Sequence, residues 1–152
     1  MTLADDGFRP PKRLRELASW QANKVGTLGA RLTARRMPLT ARSDFAVLAS
    51  LDEYGPLSQA DIGRHLGLDR NDVNGILGRL EAAEHISRRA DPSDRRRNIV
   101  TLTAGGARHL AELQLHADAV QDELVHGLTA AEQQSLRDLL AKLLASHGPQ
   151  PG

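Results

Sequence analysis

The side chains best equipped for chemistry in this chain are its arginines and the amides near them. Between Ile86 and Val100, five arginines (Arg88, Arg89, Arg95, Arg96, Arg97) stand against two acids (Asp91, Asp94), a local balance of +3 in a chain with a net charge of +1. Guanidinium groups pair with phosphate oxygens and with the guanine edge. A dense cationic stretch on a nearly neutral chain therefore marks a place where a nucleic-acid backbone could lie. A second set, Arg70, Asn71 and Asn74, opens a segment of helical pattern. Arginine favours guanine and asparagine favours adenine in the major groove, each through paired hydrogen bonds. Cysteine is absent, which excludes disulfides, thiolate–zinc sites and thiol redox sensing. Phe8, Trp20, Phe45 and Tyr54 are the only aromatics, too few to stack the bases of a single strand. An enzyme finds no support: the chain has no cysteine nucleophile, glycine-rich phosphate loop, metal cluster or serine–histidine–acid set in context, and no cofactor is expected.

Those residues need elements to hold them. Leu14, Leu17, Val25, Leu28 and Leu32 fall at helical spacing from Lys12 to about Arg36, where Pro38 forbids continuation. A second helix is expected from about Ala41 to Glu53, ended by Gly55-Pro56. Ser58 with Asp61 comes close to a capping box for a short helix that Gly67 stops. Asp69 caps the next, whose stripe is Val73, Ile76, Leu77 and Leu80. Two short helices across Gly67-Leu68-Asp69 form a helix-turn-helix pattern. Ile86–Ala90 and Asn98–Leu102 are β-prone runs flanking the turn formers Asp91-Pro92-Ser93-Asp94. A helix-turn-helix followed at once by a hairpin with a basic tip is a winged helix. Thr103 caps a helix to about Gly127 whose Leu110, Leu113, Ala117, Val120 and Leu124 are spaced like a coiled-coil seam. Thr129 and Glu132 form a capping box for a last helix carrying Leu136, Leu139, Leu140, Leu143 and Leu144.

The fold class is thus mainly α with a small β-hairpin wing, a winged helix-turn-helix between long N- and C-terminal helices. The expected partition is an arm and helix at 1–36, a lobe at 41–102, C-terminal helices at 103–146 and a tail at 147–152. In such a lobe Arg70, Asn71 and Asn74 would meet base edges or phosphates of double-stranded DNA, with Gly75 allowing close approach. Arg95, Arg96 and Arg97 would meet the minor groove or its phosphates. Ser58 and Gln59 would offer a helix start to a phosphate, although capping alone accounts for Ser58. Arg79, late on the recognition helix, would pair with an acid or a phosphate.

Six histidines raise a metal-responsive regulator of the same fold as an alternative. His109 and His116 share a helix face, but seven residues rise about 10 Å, too far for one ion. Glu112 and His116 have workable spacing without a third ligand. A winged-helix interaction module that never touches DNA is a second alternative, but it leaves the basic tip unexplained. No run of about 18 apolar residues occurs, and Met1–Pro11 lacks the apolar stretch of a signal peptide. The expectation is a cytoplasmic protein with no membrane partner.

The stretch Asp91 to Thr103 resembles the wing of the MarR (multiple antibiotic resistance regulator) family. That wing has an Asp, one residue, an Arg, five residues, then Leu-Thr; Asp94, Arg96, Leu102 and Thr103 fill those places. Leu66–Asp69 through Arg79-Leu80-Glu81 is similar to the family's recognition-helix region, and the order of elements agrees from about residue 12 to 146. The resemblance implies a ligand-responsive repressor acting as a homodimer on a palindromic operator. Its first and last helices would entwine through Leu14, Leu17, Leu136, Leu139, Leu140 and Leu143. It further implies that Asp94 braces Arg96. A small aromatic or anionic effector would bind between the dimer helices and the lobe, near Trp20, Arg42, Phe45 and Leu48. Many relatives carry Thr-Arg where this chain has Asn74-Gly75, so its base-reading set is expected to be its own.

Overall fold

The computed structural model describes residues 9–148; the first eight residues of the expected arm and residues 149–152 of the expected tail lie outside that range. The elements are α1 (Lys12–Arg15), α2 (Ala18–Arg36), α3 (Leu39–Tyr54), β1 (Leu57–Ser58), α4 (Gln59–Leu66), α5 (Arg70–Ala82), β2 (Ile86–Asp91), β3 (Asp94–Leu102), α6 (Ala104–Val125) and α7 (Ala130–Ser146). This is the mainly helical winged fold that the sequence predicts, with three departures.

The expected helix from Lys12 to Arg36 is two. Leu17 turns extended (φ −75°, ψ 125°), and Gln21 Nε2 donates to the Arg15 carbonyl across the break at 3.0 Å. That bond satisfies a carbonyl left without a partner at the end of α1. The second departure is the strand β1, which makes the sheet three-stranded in the order β1-β3-β2, antiparallel throughout. It contributes only Leu57 and Ser58, opposite Val100 and Ile99. The third concerns the stripe on α6. Leu113 and Val120 are buried within the chain, because α6 packs on its own α2 and α3, and Leu110 and Ala117 lie against the same core. This seam is intramolecular.

The core gathers Met37, Val47, Leu48 and Leu51 with Ile62, the α5 stripe, Ile86, Val100 and Leu113. Val73, Ile76, Leu77 and Leu80 are all buried, and each contributes roughly 1.5–3 kcal/mol by leaving water. Their burial fixes the rotation of α5, so the opposite face, with Arg70, Asn71 and Asn74, is exposed. The helix starts follow from their caps. Ser58 accepts from the Asp61 amide, Asp69 from Asp72 and Thr103 from Gly106. Thr129 and Glu132 exchange both bonds of a capping box.

Gly67 ends α4 in the left-handed region at φ +63°, where a residue without Cβ bends the chain at little cost. The end of α5 is tied by two bonds, from the Glu84 amide to the Glu81 carbonyl and from the His85 amide to the Leu80 carbonyl. This is a Schellman closure with Glu84 at φ +62° in the position usually given to glycine.

α7 is different. None of its residues is buried; Leu139 is 65% exposed and Leu143 54%. Leu14, Leu17, Leu140 and Leu144 are also exposed, and Leu136 is half-buried.

Candidate nucleic-acid interface

The start of α5, α4 and the wing line an open cleft of about 580 Å³, whose lining includes Ser58, Gln59, Arg64, Arg70, Arg96 and Arg97. Two ties hold its walls together, and a third joins the wing strand β2 to α5. Asp61 is the hub of the first: it accepts the Ser58 hydroxyl at 2.7 Å, pairs with Arg64, and lies 3.8 Å from Arg97 Nη2 on the wing. The Ser58 hydroxyl, helped by the Ser58 amide and by the Arg64 and Arg97 charges, holds the Asp61 carboxyl below its ordinary range against the opposing effect of burial. In the second, Asn98 Nδ2 on β3 donates to Gln59 Oε1 at 3.0 Å. In the third, Arg88 on β2 donates to Glu81 Oε1 (Nη2, 3.0 Å) and to Asn74 Oδ1 (Nη1, 3.1 Å).

The wing tip carries its charge on a bulge. Ala90 pairs with Asn98 and the next residue, Asp91, with Asp94, so Arg95, Arg96 and Arg97 have no partner across the hairpin. Such an insertion re-aims the side chains it carries. Asp91 accepts from the Ser93 amide and hydroxyl, and those bonds lower its pKa. Asp94 accepts from the main-chain amide of Arg96 at 3.0 Å. The brace expected between Asp94 and the Arg96 fork is therefore a backbone brace, which shapes the bulge and leaves the guanidinium unheld.

Arg70, Arg95 and Arg96 make no side-chain hydrogen bond or ion pair among the described residues. Arg79, expected to meet an acid or a phosphate, here meets an acid: its Nη2 donates to Asp44 Oδ1 at 2.8 Å, tying α5 to α3. Asn71 is exposed, and a Cβ at Gly75 would meet nothing within 4 Å.

The expected effector residues are not brought together around this cleft or around a second cavity of about 470 Å³. Leu48 is enclosed at the centre of the core and Phe45 lies at its edge. Trp20 is half-buried, with Lys24 Nζ 5.3 Å from its ring centre. Arg42 is half-buried and its Nε is enclosed with no hydrogen-bond partner among the described residues.

Two features escape the sequence. Arg88 reads there as one more patch cation, although strand alternation puts it on the same side as buried Ile86. The second cavity, between the α5–β2 turn and α6, includes His85, Thr103, Arg108, His109 and Glu112 in its lining. The His85 and His109 rings stack at 4.3 Å and 15°, and His109 Nδ1 lies 3.5 Å from Glu112 Oε2. Among the described residues no group of three or more His, Asp or Glu is placed to hold a metal ion.

Burial, then the neighbouring His109, push the His85 pKa below the ordinary 6.5, against the opposing charges of Asp44 and Glu112. The unfolded chain therefore takes up this proton first. The associated stability is complete above about 6.5 and is lost as pH falls through the folded value. Melting at pH 7.5 and pH 5.5 should show an acid-induced fall in Tm that is smaller in His109→Gln, which removes the neighbouring charge. Equal falls in both proteins would contradict this.

The MarR family model matches residues 39–97. The transcriptional repressor NicR of Pseudomonas putida is 33% identical over 109 residues, covering 72% of this chain and 69% of NicR. The chain belongs to the MarR family. It is a winged-helix, DNA-binding transcriptional regulator, and the proteins it is similar to are regulators rather than enzymes. Apo MarR from E. coli superposes with a TM-score of 0.73 at 27% identity, covering 84% of this chain and 96% of that one. BpsR of Bordetella bronchiseptica, whose DNA binding is regulated by 6-hydroxynicotinic acid, gives 0.69 at 26% identity, covering 82% and 96%. No helix among the described residues is long and apolar enough to cross a membrane.

Proposed function

We propose that this MarR-family protein is a ligand-responsive repressor that grips a palindromic operator as a homodimer. The observation that carries the reading is the cleft: the unpaired guanidiniums of Arg70 and Arg96 stand on it, on two separate elements, beside the exposed face of α5. Arg70, Asn71 and Asn74 meet base edges, and Arg95 and Arg96 meet minor-groove phosphates. Ser58 and Gln59 present the start of α4 to a phosphate. Arg79 and Arg97 reach DNA by exchanging Asp44 and Asp61 for phosphate. Residues 41–102 form the reading head, and 1–36 with 103–146 form the dimer frame.

A small aromatic acid is the proposed effector. The enclosed, unpartnered Nε of Arg42 leaves a buried donor that an anion would satisfy, and Phe45 lies on the same helix. BpsR, whose DNA binding is regulated by 6-hydroxynicotinic acid, supports this choice. Release follows when the ligand binds the non-gripping arrangement more tightly than the gripping one.

The test is a salt titration of operator binding by wild type and Arg96→Ala. Each phosphate contact contributes a slope of about 0.9 in log K against log salt. The variant dimer, lacking two, should bind more weakly with a slope flatter by about two. Identical affinity and slope would remove the wing from the mechanism.

A further inference from the structure

Asn74 stands on the exposed face of α5, but its amide is not free to turn. Arg88, reaching across from β2, donates through Nη1 to Asn74 Oδ1 at 3.1 Å. The same guanidinium is held from its other side by Glu81, at 3.0 Å from Nη2 and 3.3 Å from Nε. Asn74 and Glu81 lie seven residues apart, two turns along one face of α5, so a single fork bridges both. Only 21% of the Arg88 side chain is exposed. Hydrogen bonding from Arg88 keeps the Glu81 carboxyl below its ordinary range.

An arginine has five donors and no acceptor. The atom of Asn74 that faces Arg88 must therefore be the oxygen, and the NH₂ group must be the one turned away. We infer that Arg88, anchored by Glu81, is a positioning residue that makes Asn74 a hydrogen-bond donor toward DNA, so that Asn74 selects guanine rather than adenine. This rests on the DNA-binding reading of α5 proposed above.

The chemistry follows from the groove pattern. Adenine is recognised by an amide that gives a proton to N7 and accepts one from N6. With Oδ1 turned to the strand and one of its two lone pairs taken by Arg88, the second half is weakened, and the adenine amino group is set against the cation that already holds that oxygen. Guanine offers two acceptors, N7 and O6, side by side, and an NH₂ group satisfies both. The preference comes from a residue that never touches the base.

The experiment selects randomised half-site duplexes with wild type, Asn74→Ala, Arg88→Met and Arg88→Lys, each checked for fold by circular dichroism. Methionine keeps an apolar stem and removes every donor; lysine keeps the cation opposite Glu81 and loses the fork, which provides a reading should Arg88→Met not fold. Asn74→Ala should flatten one position per half-site, and that position should be guanine in wild type. At that position Arg88→Met should lose about tenfold of the guanine preference over adenine, other positions unchanged, with Arg88→Lys between the two. Four results overturn the inference: adenine selected there by wild type; no position flattened by Asn74→Ala; wild-type profiles in both Arg88 variants; or loss spread evenly over all positions, which makes Arg88 a strut. Failure of the underlying reading looks different, since wild type would then select no duplex at all, removing both.

Discussion

Aspartate at both Leu139 and Leu143 is expected to leave the protein monomeric and to weaken its hold on a two-half-site duplex by at least about a hundredfold. The reason is where those leucines stand. α7 buries none of its residues in its own chain, yet it has a full capping box and a run of leucines that stay in contact with water. Covering each one would contribute roughly 1.5–3 kcal/mol, so a second copy packed on this face gains a large apolar contact. Two carboxylates placed there would have to be stripped of water with no cation to receive them. The reading head has no stake in the change, because no residue of α7 belongs to the core. Light scattering should therefore report one chain instead of two while melting of the head is preserved. The loss of affinity comes from linkage: with the frame broken, the second half-site is no longer met at the high effective concentration that a tether provides. A variant that remains dimeric would place the twofold contact elsewhere.

Gly106→Ala should be the most damaging alanine substitution among the described glycines. A Cβ there would lie 2.0 Å from the His85 carbonyl oxygen and 2.8 Å from Leu102 Cδ1. The carbonyl cannot simply retreat, since it also accepts the Thr103 amide at 3.2 Å, and the His85 amide is bound to Leu80 at 2.9 Å. This is the joint where α5, the wing and α6 meet, so relief requires moving the reading head against the frame. Overpacking of this kind costs about 3 kcal/mol or more, which for a domain of this size is a Tm lower by about 10 °C. Gly75→Ala is the natural control. It sits mid-helix in α5, where an added Cβ meets nothing within 4 Å, and better helix propensity should raise stability by up to about 1 kcal/mol. Thermal melting of the two variants against wild type should give opposite signs; a neutral Gly106→Ala would mean that the joint can open freely.

Much of this architecture is legible in the amino acids because local chemistry writes it. Ser58, Asp69, Thr103 and Thr129 cap the helices they precede, and the turn at Pro92-Ser93 separates the two wing strands as its residue types demand. What local chemistry does not encode is what lies across from each face. Periodicity groups Leu110, Leu113, Ala117 and Val120, but it cannot say whether a second chain or the protein's own α2 and α3 will cover them. Two residues, Leu57 and Ser58, are too few to show a strand. The break at Leu17 leaves the spacing of the leucines on either side almost in phase, so it is invisible as well.

The site follows the same division. That Arg70 and the wing arginines share a surface is implied by the order of elements. That Arg79 meets Asp44 depends on a contact spanning 35 residues. The separate fates of Arg88 and Arg96 depend on the bulge, which turns the second outward while strand alternation turns the first toward α5. The resemblance makes Asp94 a brace for the Arg96 fork, but that it binds the Arg96 amide instead is a matter of backbone geometry alone.

Hydroxyl-radical footprinting of the intact protein on the DNA flanking its own gene tests the central claim most directly. Two protected tracts related by a dyad, their centres one helical turn of about 10–10.5 base pairs or a whole multiple apart, are the result expected of paired heads on one frame. Even cleavage along the whole fragment, or one tract without a mate, would contradict it.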